Sequence, residues 1–224
     1  MSMFVSIEEV DLSQLKLAKS GRTVKLIYGE SKVPLQLKTC KLYSPFGVKV
    51  YNNAYSQFTD CSIDCSIQQQ GNSEKTHELY KALQEKIEEL IKNSLNLFST
   101  KEAITDVNVS PIFRENGNYP KLMKINFPRD KNGNFDFVLF DENKEKIKLN
   151  DNNIETILTK GKTFVGIIEC GKIWYYNNKF GITWNLIQSR FSKKKDIREP
   201  DETEQVSNQD SRHMYMQNLM IDDD

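Results

Sequence analysis

"TFVGIIECGKIWYYNNKFGITWNLIQSRF", from Thr163 to Phe191, reads as two strands, "TFVGIIECGKIWYYNN" and "FGITWNLIQSRF", that form the last hairpin of the 224-residue chain. It holds both tryptophans, with Tyr175, Tyr176, Phe180 and Phe191 beside them, and Lys172, Lys179 and Arg190 are interleaved among the rings. Successive strand residues point to opposite faces. Ile182, Trp184 and Leu186 therefore share one face, and Trp184 is expected in the core. Trp174 and Tyr176 share a face, and Ile173 and Tyr175 share the other, so one aromatic pair is expected to stand outside.

Working toward the N-terminus, "SPIFRENGNYPKLMKINF" and "FDFVLFDENKEKIKL" continue the strand pattern, with Asn116-Gly117 and Asn132-Gly133 as tight turns. "NDNNIETILTK" adds a short helix. The period changes between Ser73 and Ser99. There Leu79, Tyr80, Leu83, Ile87, Leu90, Ile91, Leu95 and Phe98 recur every three or four residues, which predicts one long amphipathic helix with Ser73 as its N-cap. The first seventy residues return to period two in "TVKLIYGE", "VPLQLKTCKLY", "GVKVYNN" and "CSIDCSI", punctuated at Ser20-Gly21, Tyr28-Gly29 and Ser44-Pro45-Phe46-Gly47. Many short strands and one inserted helix predict a mainly β protein. The expectation is an OB-fold-like barrel with extra hairpins, with a β-sandwich as second choice.

From Lys193 the hydrophobicity collapses. Residues 196–224 carry nine acids against Arg198 and Arg212, a net of −7, so residues 1–195 carry +7 within a formal total of zero. The expected organisation is one folded domain over 1–195 and a disordered acidic tail over 196–224. The tail contains an apolar knot, "MYMQNLMI", ahead of Asp222, Asp223 and Asp224. No run approaches the roughly 18 apolar residues of a membrane span, and the acidic start is unlike a signal peptide. An intracellular protein with no membrane partner is expected. Cys40, Cys61, Cys65 and Cys170 are expected as reduced thiols acting as small hydrophobes.

Enzyme motifs are weak. "GKT" at Gly161 to Thr163 lacks the earlier glycine of a phosphate loop, because Thr156 stands five positions before Gly161. Asp130 in "PRD" and Glu142 in "DENK" have the oxygen ligands that magnesium prefers, but both segments read more simply as hydrophilic turns. Cys61 and Cys65 lack a histidine partner, since only His77 and His213 exist and each sits apart. No catalytic residue, metal site or cofactor is assigned.

The aromatic and basic residues need no rare spacing. Single-stranded nucleic acid is held by rings stacked on bases and by Lys and Arg along the phosphates. Trp174, Tyr175, Tyr176 and Phe180 with Lys172, Lys179 and Arg190 offer both, and Tyr43, Phe46 and Tyr51 with Lys38, Lys41 and Lys49 form a second group. The residues alone leave nucleic-acid binding and a protein interface both open.

"LYSPFGVKVYNN" at Leu42 to Asn53, "KIWYYNNKFGITWNLIQSRF" at Lys172 to Phe191 and the acidic C-terminus resemble the single-stranded DNA-binding proteins of nucleocytoplasmic large DNA viruses. These are related to the OB-fold binding protein of short-tailed bacteriophages. The resemblance implies a non-enzymatic protein that coats unwound DNA in viral replication, recombination and repair, at a replication site in the cytoplasm or nucleus. It places binding on the two aromatic and basic motifs, and replication partners on the tail. Tyr215, Leu219, Met220, Ile221 and the three terminal aspartates would supply those contacts, in place of the aromatic residue that the phage pattern has at its last position. A homo-oligomer is left open. The alternative is a virion structural or assembly protein whose aromatic patch meets another protein.

Overall fold

The computed structural model describes residues 4–30, 33–52, 57–68, 73–98, 104 and 106–192. The expected tail, with Tyr215, Leu219, Met220, Ile221, Asp222, Asp223 and Asp224, lies outside them.

The protein is mainly β. Its strands are β1 (Val5–Ser6), β2 (Leu15–Ser20), β3 (Thr23–Tyr28), β4 (Gln36–Lys38), β5 (Leu42–Ser44), β6 (Val48–Tyr51) and β7 (Asp60–Ile67). After helix α1 (Ser73–Lys92) come β8 (Arg114–Asn116), β9 (Tyr119–Phe127), β10 (Val138–Phe140) and β11 (Lys146–Ile147). The one-turn helix α2 (Ile154–Ile157) precedes the two long strands β12 (Lys162–Tyr176) and β13 (Lys179–Phe191).

Five ladders close a ring: β12 pairs with β5, β5 with β7, β7 with β9, β9 with β13, and β13 with β12. The ring is irregular and is not a regular barrel, because its ladders differ greatly in length. β12 and β13 pair from Phe164↔Phe191 to Tyr176↔Lys179, while β13 and β9 share only Trp184↔Ile125 and Asn185↔Asn126. Register shifts at Ile167/Ile168 and Cys170/Lys172 bend the long hairpin. β12 can therefore also pair with β4 and touch β3. The hairpin reverses at Asn177 and Asn178, with φ of 47° and 58°, the left-handed pair that a two-residue turn requires and that asparagine tolerates.

The interior alternation follows the sequence. Ile63, Cys65, Ile125, Ile168, Cys170, Phe164, Leu186 and Trp184 face inward and are buried. Burial pushes the Cys40 and Cys170 thiols up to about 12, so they stay protonated and behave as hydrophobes rather than nucleophiles. α1 packs with Tyr80, Leu83, Ile87 and Ile91 buried, the three-and-four spacing expected of it. Gln84 of the helix accepts from the Ile112 amide at 3.0 Å, and Phe113 lies edge-on to Tyr80 at 5.0 Å, which fixes the chain that leads into β8.

Two expectations about α1 need correction. It ends at Lys92 instead of reaching Ser99, and Leu95–Leu97 form a separate 3-10 turn. Asn93 and Ser94 favour local turns over helix, and Ser94 leaves helical geometry at φ −137°. Ser73 is the first helical residue rather than its cap.

Gly47 shows how tightly the β5–β6 corner sits on α2. Its φ is +74°, and an added Cβ would lie 2.8 Å from Leu158 O and Lys160 N. Gly161, in the "GKT" segment, donates its amide to Ser44 O at 2.8 Å, so that segment is a turn into β12.

Trp184 fills the ring interior, so Trp184→Ala is expected to destabilise the fold by about 3–5 kcal/mol, read as a lower melting temperature in thermal denaturation. A melt indistinguishable from that of the parent would contradict this packing.

Candidate nucleic-acid interface

The outer face of the ring is defined by cross-strand partners, which point the same way. Lys49 of β6 pairs with Ser62 of β7, Ser62 with Asn126 of β9, Asn126 with Asn185 of β13, and Asn185 with Glu169 of β12. Glu169 pairs in turn with Gln36 of β4, which donates to its carboxylate at 2.9 Å. This row crosses four strand steps from β6 to β12, roughly 19 Å at about 4.8 Å per step. Between its ends stand Ser62, itself buried, and the half-buried Asn126, Asn185 and, one pair further, Thr183, all small, polar and uncharged.

Rings and cations stand at both ends of the row. At the β6 end Tyr51 and Phe46 are exposed, Phe46 by 53%. The Lys49 ammonium lies 5.4 Å from the Phe46 ring centre, and that of Lys124 lies 5.0 Å from the Tyr51 ring and donates to its hydroxyl at 3.2 Å. Tyr43 of β5 is exposed on the same face, opposite Ser66. At the hairpin end, Lys172, Trp174 and Tyr176 face Thr183, Gly181 and Lys179. Lys172 and Lys179 are exposed, and Tyr176 is 70% exposed.

Trp174 is held rather than free. Its indole sits over Gly181, where an added Cβ would be 2.0 Å from Cζ2. The ring is half-buried, with one side against the backbone of its own hairpin. A side chain at position 181 would push it away.

Several expected contacts are not brought together. Phe180 is 0% exposed and packs edge-on against Phe98 at 4.9 Å, so it belongs to the core and not to a binding face. Tyr175 points inward with it, its ring 4.7 Å from that of Phe180 and its hydroxyl donating to Asn178 at 2.8 Å. Arg190 pairs with Val165, eleven residues along β12 from Tyr176, roughly 35 Å of strand away. There it lines a cavity of about 150 Å³ with Lys41 and Glu142. Arg190 and Lys41 therefore form a group apart from Trp174 and Tyr176. Lys38 lies on β4 beyond β12, opposite Ile167, and is half-buried.

The structure adds residues that the sequence did not single out. Lys124 and Arg114 join the β6 end, and Asp64 lies beneath them. Lys124 was visible as an outward position of "KLMKINF", but only the β7–β9 register places it near Tyr51. The turn residues read as a weak metal motif are structural. Asp130 accepts from the amides of Asn132 and Asn134 at 2.8 and 2.9 Å, and Arg129 donates to Gly133 O at 2.6 Å with its guanidinium 4.0 Å from the Phe135 ring.

No protein-family model matches the chain, and no curated protein matches it. Among solved structures it is similar to the single-stranded DNA-binding protein from bacteriophage Enc34 in complex with ssDNA, at 15% identity over 84% of this chain and 97% of that one, with a TM-score of 0.46. A C-terminal truncation of that phage protein gives 13% identity, 81% and 96% coverage and a TM-score of 0.47. A third structure, of the single-stranded DNA-binding protein from bacteriophage Enc34, gives 16%, 86% and 96%, and 0.39. A likeness at this level fixes neither fold nor ligand, so the site stands on its own geometry.

Gly181→Ala is expected to displace the Trp174 indole and cost about 1–3 kcal/mol of stability, because the backbone φ suits alanine and only the ring is in the way. Trp174 emission, measured in a Trp184→Phe background, should shift to the red. An unshifted spectrum would mean the indole does not rest on Gly181.

Proposed function

We propose that the protein binds single-stranded DNA without sequence preference across the outer face of the ring. The observation that carries this reading is the row from Lys49 to Glu169. Two aromatic and basic segments more than a hundred residues apart in sequence flank a row of small polar residues on one continuous face. Bases can stack on exposed rings such as Tyr176, Phe46 and Tyr51, while Lys172, Lys179, Lys124 and Lys49 follow the phosphates. A duplex hides its base faces, so this arrangement favours single strands. Binding of this kind needs no catalytic group and no cofactor.

The test is equilibrium binding of labelled single strand, duplex and RNA of equal length over a salt series. Single-stranded DNA should bind tighter than duplex, and log affinity should fall by about 0.7 per phosphate contact for each decade of salt. Tyr176→Ala should lose about 1–3 kcal/mol of binding with an unchanged melting temperature. Equal affinity for duplex, or a response flat in salt, would reject the proposal.

The viral setting and the roles in replication, recombination and repair belong to the same proposal and rest on the motif resemblance. So does recruitment of replication proteins by Tyr215, Leu219, Met220, Ile221 and the terminal aspartates. The charge split of +7 and −7 supports a competing role for residues 196–224, whose carboxylates can imitate phosphates at a high tethered concentration. Deleting 196–224 should strengthen single-strand binding, most at low salt, where the competition is least screened. Unchanged or weaker binding after truncation would refute competition by the tail.

The second reading, a virion structural or assembly protein, is favoured by β6. Among the described residues this strand pairs only with β7, and Val50 and Tyr51 are exposed on it. Concentration-dependent assembly without any DNA affinity in the same binding series would select it.

A further inference from the structure

Among the described residues Asp64 is the one charged side chain that is buried, at 2% exposure, and it lies under the outer face. Lys49 Nζ sits 2.6 Å from Oδ2 and Arg114 Nη2 sits 2.5 Å from Oδ1. Burial pushes the Asp64 carboxyl up, but the two cations overcome it and hold the group below the usual carboxylate range. Both cations remain about half exposed, 51% and 46%, so each keeps donors turned to solvent. Lys124 is the cross-strand partner of Asp64 and is already turned to Tyr51. One buried carboxylate thus sits among three cations, with Asp60 further along β7 opposite Tyr51.

We infer that Asp64 is a positioning residue. It fixes Lys49 and Arg114 as a paired, pre-arranged seat for a backbone phosphate next to the Phe46 and Tyr51 rings. This rests on the single-strand reading above and adds to it the residue that organises the β6 end. Lysine and arginine lose much rotamer freedom when an anion immobilises them, and a partner that already holds them removes most of that loss. Two like charges repel when drawn to one phosphate, and a carboxylate beneath them lets them approach. The Arg114 fork has five donors and spends few on Asp64, which leaves others for a second anion.

Deleting a negative charge from a DNA-binding face ordinarily strengthens binding, because net attraction rises. Asp64→Asn should instead weaken it about five- to ten-fold toward oligothymidylate. The salt slope should also lose about 0.7–1.4 in magnitude, as one or two phosphate contacts are lost. Asp136→Asn, which removes an exposed acid, sets the size of the plain charge effect and should leave binding equal or tighter. If the parent protein binds oligothymidylate and Asp64→Asn binds equally or tighter, the positioning role is overturned while the single-strand reading stands. If the parent does not bind at all, the single-strand reading and the inference that rests on it both fall.

Because Asp64→Asn could lose its fold, a second measurement uses the unaltered protein. Side-chain NMR signals of Arg114 and Lys49 should shift during titration with oligothymidylate, while those of Lys81, paired to Glu85 on α1, stay put. Unmoved Arg114 and Lys49 signals at saturation would overturn the inference equally.

Discussion

The structure depends on β12. This strand pairs with β13 along nearly its whole length on one edge, and on the other edge it takes β5, β4 and a residue of β3 in succession. A straight fifteen-residue strand could not serve that many partners. The bulges bend it around the ring, so that Phe164 and Ile168 line the interior near β5 and β4 while Trp174 and Tyr176 continue past the ring on the hairpin tip. Curvature is what turns one strand into both wall and projecting arm. Without that ladder the N-terminal hairpins have no common neighbour.

How much of this was legible in the sequence differs by scale. Local period told strand from helix nearly throughout, because alternation and three-or-four spacing are imposed by the same geometry that buries one face. Trp184 could be assigned inward from Ile182 and Leu186 alone. The errors came where tertiary pairing decides. Phe180 sits among lysines and asparagines in the chain, yet it lies inside because Phe98 and the segment around Val109 close over it. Arg190 and Lys172 looked like neighbours in a short quotation, but Lys172 pairs with Thr183 and Arg190 with Val165, seven residues further along the ladder. The end of α1 was missed because Leu95 and Phe98 continue its apolar spacing through the break at Ser94.

The candidate face was only half visible for a related reason. Tyr51 and Lys49 were recognisable, but Lys124, Arg114 and Asp64 come from other strands, and no spacing within one segment could align them. Register did so. A row of cross-strand partners converts residues distant in sequence into a surface, and each member is ordinary by itself. Glycine has a comparable part at position 181, where the missing side chain makes room for an indole to lie across the strand. Its value is visible only from the opposite strand.

The length of β12 also has a consequence for how the chain acquires its shape. Two of the five ladders that close the ring, β12 with β5 and β7 with β9, join residues near 40 or 60 to residues past 120 or 160. Emerging from a ribosome, the first hairpins, β7 and α1 are all made before the strand that binds them together exists. Until it arrives, β4 and β5 present bare edges, and the inner faces of β7 and β9 have nothing to cover them. In such a topology the loop-closure entropy is paid before the contacts that repay it. Its nascent intermediates are therefore the stage at which neighbouring chains could exchange strands.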